Sequence, residues 1–447
     1  VYLLLQFTVF QVTGLGGSEE TIVGHGTPDG VAQSRGQLMV ANLVRIRRPE
    51  HRVDLHPIEE VRRLEHPGED ELDAGSRVGG IWDIDRPDSP MYESAHFISS
   101  RTLSGFPGFP MPDSYPDYPR HDQVLRYIRD FAGHHDLERH ITFDTRVESA
   151  TRTGGGGWAV NLDSGEVNTY DGLCVATGMN WHPRVPELPG EWVRESYHSS
   201  RHRSADEFRG KRVLIVGAGN SGCDIACDAA RSAERAFISV RRGYHFVPKY
   251  VFGKPSDVFA HTGPALPAWL EERVFGFLMN RVLVGDLTRY GLPAPDHPIL
   301  RSHPIMNTQV LHHLRHGDLQ ARPDVRALRW HEVEFTDGST EEIDLIVWAT
   351  GYERVYPFLA AEDLDLREGA LDFYLNVFHR RYPDLFVIGL FETDGAAYGL
   401  FGAQAELIAA YLEVRSEGTA DVFDRLRIED RPDLRGGGKY LSSARHA

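Results

Sequence analysis

"FRGKRVLIVGAGNSGCDIACD", residues 208–228, decides the fold. A basic start leads into the continuous apolar run Val213–Val216, then three glycines at G-x-G-x-x-G spacing, then a helix-compatible stretch. This is the order strand, tight turn, helix. Gly217 permits the turn, Gly219 lets backbone approach a diphosphate, and Gly222 lets helix and strand pack closely, with the diphosphate held at the helix N-terminus. A second apolar strand, "AFISV", ends at Arg241-Arg242, about 20 residues beyond the last glycine, where the ribose-reading residue belongs. An acidic residue there would favour NAD, whereas arginine accommodates a 2′-phosphate, so NADPH is the expected dinucleotide. Cys223 and Cys227 lie one helical turn apart and are read as small packing residues.

The composition of the whole chain is that of a globular protein, 41% hydrophobic and 25% charged, with no low-complexity bias. Its formal charge of −17 repels phosphate backbones and anionic lipid, so neither a nucleic-acid nor a membrane partner is expected. The basic run "RESYHSSRHRSADEFRGKR" is interrupted by acids and reads first as solvated surface, second as an anion site. Three cysteines with no C-x-x-C argue against a disulfide framework, a structural zinc site or a redox dithiol. "VYLLLQFTVFQV" at 1–12 is too short to span a bilayer and lacks a secretory cleavage pattern. A soluble, cytoplasmic protein is expected.

Three further segments suggest a second nucleotide domain: "GSRVGGIWDID" (75–85), "YDGLCVATGMNWHPRVPELPG" (170–190) and "EEIDLIVWATGYERVYPFL" (341–359). In the last two an apolar strand runs into Ala-Thr-Gly, which lets backbone come close to a ligand at the carboxyl edge of a sheet. The two copies flank the central fingerprint, so one domain is read as interrupted by another.

With V-G-G-I-W at 78–82, "FPGFPMPDSYPDYPRHDQVLRYIRDFAGHHDL" at 106–137, "PAPDHPILRSHPIMN" at 293–307 and "LFVIGLFETDG" at 385–395, the set resembles the flavin-containing monooxygenases, among the class B flavoprotein monooxygenases. The resemblance covers about residues 75–415. It implies an α/β fold of two Rossmann-like three-layer dinucleotide-binding domains, the NADPH domain inserted into the FAD domain. It also implies that Asp73, Gly79, Gly80, Ile81, Trp82, Ser99, Val147, Thr177, Gly178, Thr350 and Gly351 are cofactor-binding, with Ile81, Trp82 and Ser99 beside FAD and Asp73 holding the adenosine ribose. Gly217, Gly219, Ser221, Gly222, Cys223, Asp224, Arg241 and Arg242 would border NADPH. Trp82 on its own reads equally well as a core aromatic.

The sequence departs from the family in three places. No glycine occurs from Gln37 through Pro67, where the FAD glycine loop belongs, and Gly14, Gly16 and Gly17 are followed by Glu19 in place of the third spacing glycine. Residues 1–74 are therefore unassigned, with a frame-shifted translation and a truly divergent region as the two readings. "WVRESYHSSRH" keeps His198 of a family signature but puts Trp192, Arg194 and His202 at its other positions. His198 reads as a linker residue or as a core or surface histidine. Ile98 stands where the family places an asparagine near the reactive rings.

The expected map is FAD-binding residues 75–194 and 336–447 around an NADPH domain at 195–335. It includes a helix near 121–137, a β-meander turning at the glycines 154–157, a helical insertion near 250–310 that lines the substrate entrance, and a helix near 401–415. The chemistry implied is hydride transfer from NADPH to FAD, then O₂, then passage of one oxygen from a flavin hydroperoxide to a small-molecule nitrogen or sulfur centre or a carbonyl. No Ser/His/Asp triad, paired-carboxylate site or H-E-x-x-H motif competes, and "LHHLRH" at 311–316 reads as surface helix, so no metal is expected. A disulfide reductase would require a redox cysteine pair. The alternative is a non-catalytic or degenerate NADPH-binding protein that has lost FAD. Substrate and oligomeric state stay open at this level.

Overall fold

The computed structural model describes residues 8–10, 69–262, 268–299, 304–364, 366–367, 370–391 and 396–432. The inserted unit is built on a parallel five-stranded sheet in the order Glu195–His198, Leu345–Trp348, Arg212–Val216, Arg235–Ser239, Leu319–Arg322. Its three inner strands are apolar at successive positions because both of their faces are covered, as in parallel sheets. Val213 and Ile215 point to the helix Asn220–Ser232, packing with Ile225 and Ala226, while Leu214 and Val216 point the other way onto Val333 and Phe335. Those two belong to a small sheet ordered Thr340–Glu342, Glu332–Phe335, Val325–Trp330, Gly190–Trp192. The result is three layers: helix, parallel sheet and largely antiparallel sheet.

Leu345–Trp348 corrects the expected boundary. The sequence assigned it to the returning segment 336–447, yet it is hydrogen-bonded between Glu195–His198 and the fingerprint strand, so the inserted unit extends past residue 335 to the second Ala-Thr-Gly. An apolar strand ending in Ala-Thr-Gly fits either sheet equally well, and only the pairing distinguishes them.

The outer unit repeats the plan. Its five-stranded sheet runs Leu385–Val387, Gly172–Val175, Thr8–Phe10, Glu69–Leu72, Ile141–Thr142, so a strand from beyond the insertion completes a sheet begun before it. One face carries the meander Val147–Arg152, Trp158–Leu162, Val167–Tyr170, whose Trp158 and Val160 pack on Leu173 and Val175. The other face carries the helix Tyr398–Ser416, whose Ala405, Ile408 and Tyr411 pack on Cys174 and Phe386. The meander turns where expected, with Gly156 and Gly157 both at positive φ (91° and 77°). The predicted helix after the Pro/aromatic stretch is His121–His134. The helix Asp421–Glu429, beyond the expected helix near 401–415, was not anticipated.

At the centre of the outer sheet, Thr8–Phe10 is antiparallel to both neighbours, pairing Phe10 with Glu69 and with Gly172. Residues 11–68, which hold most of the unassigned segment and its glycines, lie outside the described residues.

Candidate functional site

The three glycines of the fingerprint do three different things. Gly217 sits at φ 108°, and a Cβ there would meet the Ala349 carbonyl oxygen at 2.3 Å. Gly222 is packed so that a Cβ would lie 2.2 Å from the Gly217 carbonyl oxygen, which brings helix and strand into direct contact. Around Gly219 nothing lies within 4 Å of a Cβ position, and it caps the helix Asn220–Ser232 from outside. The first-turn N–H groups of a helix have no partners within it, so an open glycine before them leaves room for an anion.

The remaining predicted residues of this half separate by environment. Ser221 is exposed on the first turn. Cys223 is turned into the core, its thiol directed at the Ala218 carbonyl (3.6 Å) and pushed well above its ordinary pKa by burial. Cys227 likewise packs inside, its thiol raised by burial to about 12. Asp224 accepts from the Tyr92 hydroxyl (3.1 Å) and the Asn307 amide (2.6 Å), and burial raises its carboxyl. Arg241 is exposed beyond the strand Arg235–Ser239 and makes no ion pair or hydrogen bond among the described residues, while the Arg242 guanidinium lies over the Tyr244 ring at 5.1 Å.

The outer unit gathers its predicted residues along one sheet edge. Asp73 follows the strand Glu69–Leu72, is buried, and accepts the Gly75 N–H at 2.6 Å. Burial raises its carboxyl above the ordinary value, opposed by that hydrogen bond and by Arg86, 3.7 Å away. The Arg86 guanidinium also lies 4.9 Å over the Trp181 ring, and the Trp181 indole donates to the Thr177 carbonyl at 2.5 Å. A chain of contacts thus joins Asp73 to Thr177 and Gly178 at the ends of two strands. Gly79 and Gly80 take φ 144° and 52° and lead into the single turn Gly80–Trp82. Ile81 and Trp82 are half-buried, Trp82 with its ring 5.2 Å from Phe97 in an aromatic cluster that includes Tyr398. The Ser99 hydroxyl is shared with Ser104 (2.8 Å), and Val147 opens the meander and packs against its core.

Thr350 and Gly351 belong to the crossing between the units. The Gly351 carbonyl accepts the Arg184 N–H (3.0 Å) and faces His198 Nε2 (3.0 Å), the Thr350 hydroxyl bonds the Arg184 carbonyl, and Tyr352–Glu353 pairs with His182–Pro183. His198 Nδ1 accepts the Ser200 N–H (3.1 Å), so the proton resides on Nε2 and is donated to Gly351; burial lowers the ring's pKa and keeps it neutral. His198 is therefore a buried linker histidine. His202, the other signature position, is fully buried between Glu207 (3.2 Å) and Asp228 (3.5 Å) and stacks on Phe208.

Sequence reasoning missed the groups that lock the two units together. Besides Tyr92–Asp224, Ser94 donates to Asp228 (2.6 Å), the Ser100 N–H to Asp257 (2.6 Å), Tyr250 to Asp117 (3.0 Å) and Tyr118 to the Lys249 carbonyl. The segment carrying Ile98 and Ser99 is so fixed against the fingerprint helix and the insertion. Single tyrosines and acids in irregular chain carry no periodic signal, which is why they went unread.

The inserted unit fits a dinucleotide at its glycine turn. In the outer unit the residues expected beside FAD divide between the sheet edge at Asp73 and the turn Gly80–Trp82. Its diphosphate loop is not found among the described residues. Thr8–Phe10 runs so that the chain leaves Phe10 at the sheet end opposite Asp73 and Thr177. Among the described residues no group of His, Cys, Asp or Glu is placed to hold a metal ion, and no helix is long and apolar enough to cross a membrane.

Two Rossmann-like units, one threaded through the other, define a protein of the two-dinucleotide type. The chain belongs to the flavin-binding monooxygenase-like family, whose model matches residues 72–415. Human flavin-containing monooxygenase 1 is 31% identical over 348 residues, which is 71% of this chain and 64% of the human protein, so the chain spans less than two-thirds of that relative. A flavin-containing monooxygenase from Stenotrophomonas maltophilia shares the fold at TM-score 0.58 and 21% identity, over 78% of this chain and 90% of its own. OTEMO, solved in complex with FAD and NADP, does so at TM-score 0.59 and 21% identity, over 79% and 81%.

Proposed function

We propose that this chain is an FAD- and NADPH-dependent monooxygenase that places one oxygen atom of O₂ on a small molecule at a nitrogen, a sulfur or a carbonyl. The observation that carries the reading is the fingerprint turn, whose three glycines have the geometry a bound dinucleotide requires. Gly219 and the first turn at Ser221 would hold the diphosphate of NADPH, and Arg241 its 2′-phosphate. Asp73 would accept from the flavin's adenosine ribose, with Thr177 and Gly178 at the neighbouring strand end. Bound flavin would supply the redox and oxygen chemistry. The protein's part is to set the two nucleotide sites at a fixed angle: Tyr92 on Asp224 and Ser94 on Asp228 do so, and the pairing of Tyr352–Glu353 with His182–Pro183 ties the two crossings together. The aromatic cluster of Trp82, Phe97, Phe106 and Tyr398 would exclude water from the ring side. Three buried, unpaired thiols suit a reducing cytoplasm.

The test is the visible spectrum of the purified chain with added FAD, followed by NADPH oxidation under air. Retained flavin bands that bleach with NADPH and return with oxygen are expected. NADPH binding with no flavin retained would overturn the monooxygenase reading in favour of an NADPH-binding protein without flavin chemistry.

A further inference from the structure

His202 fills a signature position in its own way, and the structure buries it fully. Its ring lies flat on Phe208 (centroids 4.8 Å apart, planes at 2°) with the Tyr92 ring 5.8 Å away. Each ring nitrogen meets a carboxylate: Nδ1 the Glu207 Oε2 at 3.2 Å, Nε2 the Asp228 Oδ2 at 3.5 Å. Both carboxylates already act as acceptors. Glu207 takes the Tyr197 hydroxyl on Oε2 (2.6 Å) and the N–H groups of Arg203 and Ser204 on Oε1 (2.9 and 3.1 Å). Asp228 takes the Ser94 hydroxyl on Oδ2 (2.6 Å) and the Arg231 guanidinium on Oδ1 (3.3 Å). Burial would raise the Glu207 carboxyl, yet those hydrogen bonds and the charge of the ring beside it hold it below its ordinary value, so it is ionised at neutral pH. The other charged groups around the ring are committed elsewhere. The Arg203 guanidinium donates to the Met91, Ser200 and His202 carbonyls, Arg201 lies over the Tyr197 ring, Glu195 pairs with Lys211, and Glu93 is exposed. Asp224, one helical turn before Asp228, holds Tyr92 and Asn307.

A neutral imidazole has one N–H and one lone pair. With Nδ1–H on Glu207, the Nε2 lone pair would face an Asp228 oxygen that is itself an acceptor, an unfavourable pairing inside the protein. A second proton on the ring turns that repulsion into a charge-assisted hydrogen bond. The bonds from Ser94 and Arg231 favour the ionised form of Asp228, which leaves the proton on the ring. We propose that a proton on His202 Nε2, donated to Asp228, latches the outer unit to the fingerprint helix, and that its loss as pH rises loosens the junction between the units. The parts joined are specific. Ser94 bonds the same Asp228 oxygen, Tyr92 packs near the imidazole ring, and both open the segment that carries Ile98 and Ser99. With the proton, Asp228 is held where Ser94 meets it. Without it, ring and carboxylate repel, and the segment loses its seat on both. His202 is a positioning residue here, closed on the acid side and open on the alkaline side. That the latch thereby governs how NADPH is coupled to flavin rests on the monooxygenase reading above; the latch itself does not.

The experiment follows the ring signals of isotope-labelled histidine in the full chain by NMR from about pH 6 to about pH 9. Hydrogen exchange is measured over the same range at the amides of Glu93, Ala95 and Phe97, each of which is hydrogen-bonded in this segment. The His202 ring, identified by its contacts with the Phe208 and Tyr92 rings, is expected to carry protons on both nitrogens at about pH 7, where the buried His198 carries one. As the second proton leaves, exchange at the three amides, corrected for its intrinsic pH dependence, should rise about tenfold in step with it. His202→Gln, whose side chain does not titrate, should show the faster exchange throughout and no step. A native ring with a single N–H at about pH 7 would overturn the proposal. So would a second proton whose loss leaves the exchange unchanged, or a His202→Gln chain that keeps the step. No readout needs flavin or turnover, so a chain that retains no flavin would end the monooxygenase reading while the ring signals still decide the latch.

Discussion

In the inserted unit the middle strand, Arg212–Val216, runs parallel to both neighbours and ends in the glycine turn. In the outer unit the middle place is taken by Thr8–Phe10, antiparallel to both of its neighbours. Almost everything else is shared: a five-stranded sheet with a meander or small sheet on one face, a helix on the other, and an Ala-Thr-Gly at a strand end. The difference lies in the direction of one strand. Sheet edges supply the carboxylate and the close backbone, as at Asp73 and Thr177. Only a central parallel strand delivers a glycine loop and a helix N-terminus to the same edge.

The contrast breaks first, and with the largest effect, in the meander of the outer unit. Arg152 Nη1 bonds both oxygens of Asp384 (2.6 and 2.8 Å), and the Trp158 indole adds a third contact at 3.3 Å. Asp384 is 5% exposed, so Arg152→Met strands a buried carboxylate and should cost about 3–5 kcal/mol. Thermal unfolding followed with and without NADPH should show the outer unit melting early while NADPH affinity persists. Joint loss of both would mean that the units unfold as one, and that the interface at Tyr92 and Ser94 outweighs the separate cores.

The reverse break lies in the fingerprint. Gly222→Ala puts a methyl 2.2 Å from a backbone oxygen, where neither side can yield without parting helix from strand. The overpacking should cost about 1–3 kcal/mol and weaken NADPH binding, with flavin content preserved. Gly219→Ala is the control: with nothing within 4 Å of the new methyl, stability should hold while NADPH affinity falls. A Gly219→Ala chain that binds NADPH normally would show that the diphosphate does not lie over that residue.

How legible these features were in the sequence follows from what each leaves behind. The fingerprint could be read because an apolar run buried on both faces and three spaced glycines are each demanded by geometry. The interruption of one unit by another was visible through the repeated Ala-Thr-Gly. The side on which the second copy belonged was not, since Leu345–Trp348 carries no mark of its partners. Asp73 was singled out by resemblance alone, and the structure puts it just after the strand Glu69–Leu72. Tyr92, Asn307 and Lys249 left no signal: each makes its contact across more than 80 residues of chain or from an aperiodic stretch. Cys223 was correctly placed on the helix, but only burial shows that its thiol faces the core.

The smallest effect sharpens the comparison at the link between the units. His198 donates from Nε2 to Gly351, at the point where both crossing strands are pinned, and its burial lowers its pKa below the ordinary 6.5. Above that value the ring is neutral in folded and unfolded chains alike. As the pH falls through 6.5 the unfolded chain takes up a proton that the folded chain refuses, so stability declines until the lowered folded pKa is passed. His121, lowered for the same reason, adds to the slope from the outer unit, where its neighbours are Asp122, Arg120, His96 and Glu93. His198→Phe keeps the ring's shape beside Tyr352 and removes both the donor and the proton site. It should cost about 0.5–1.5 kcal/mol at neutral pH, because the Gly351 carbonyl retains only the Arg184 N–H. Denaturant midpoints measured between pH 5 and pH 8 should then show the two curves converging on the acid side, since the variant no longer refuses the proton. Parallel curves would assign the acid slope to His121 and leave the link without a titrating member.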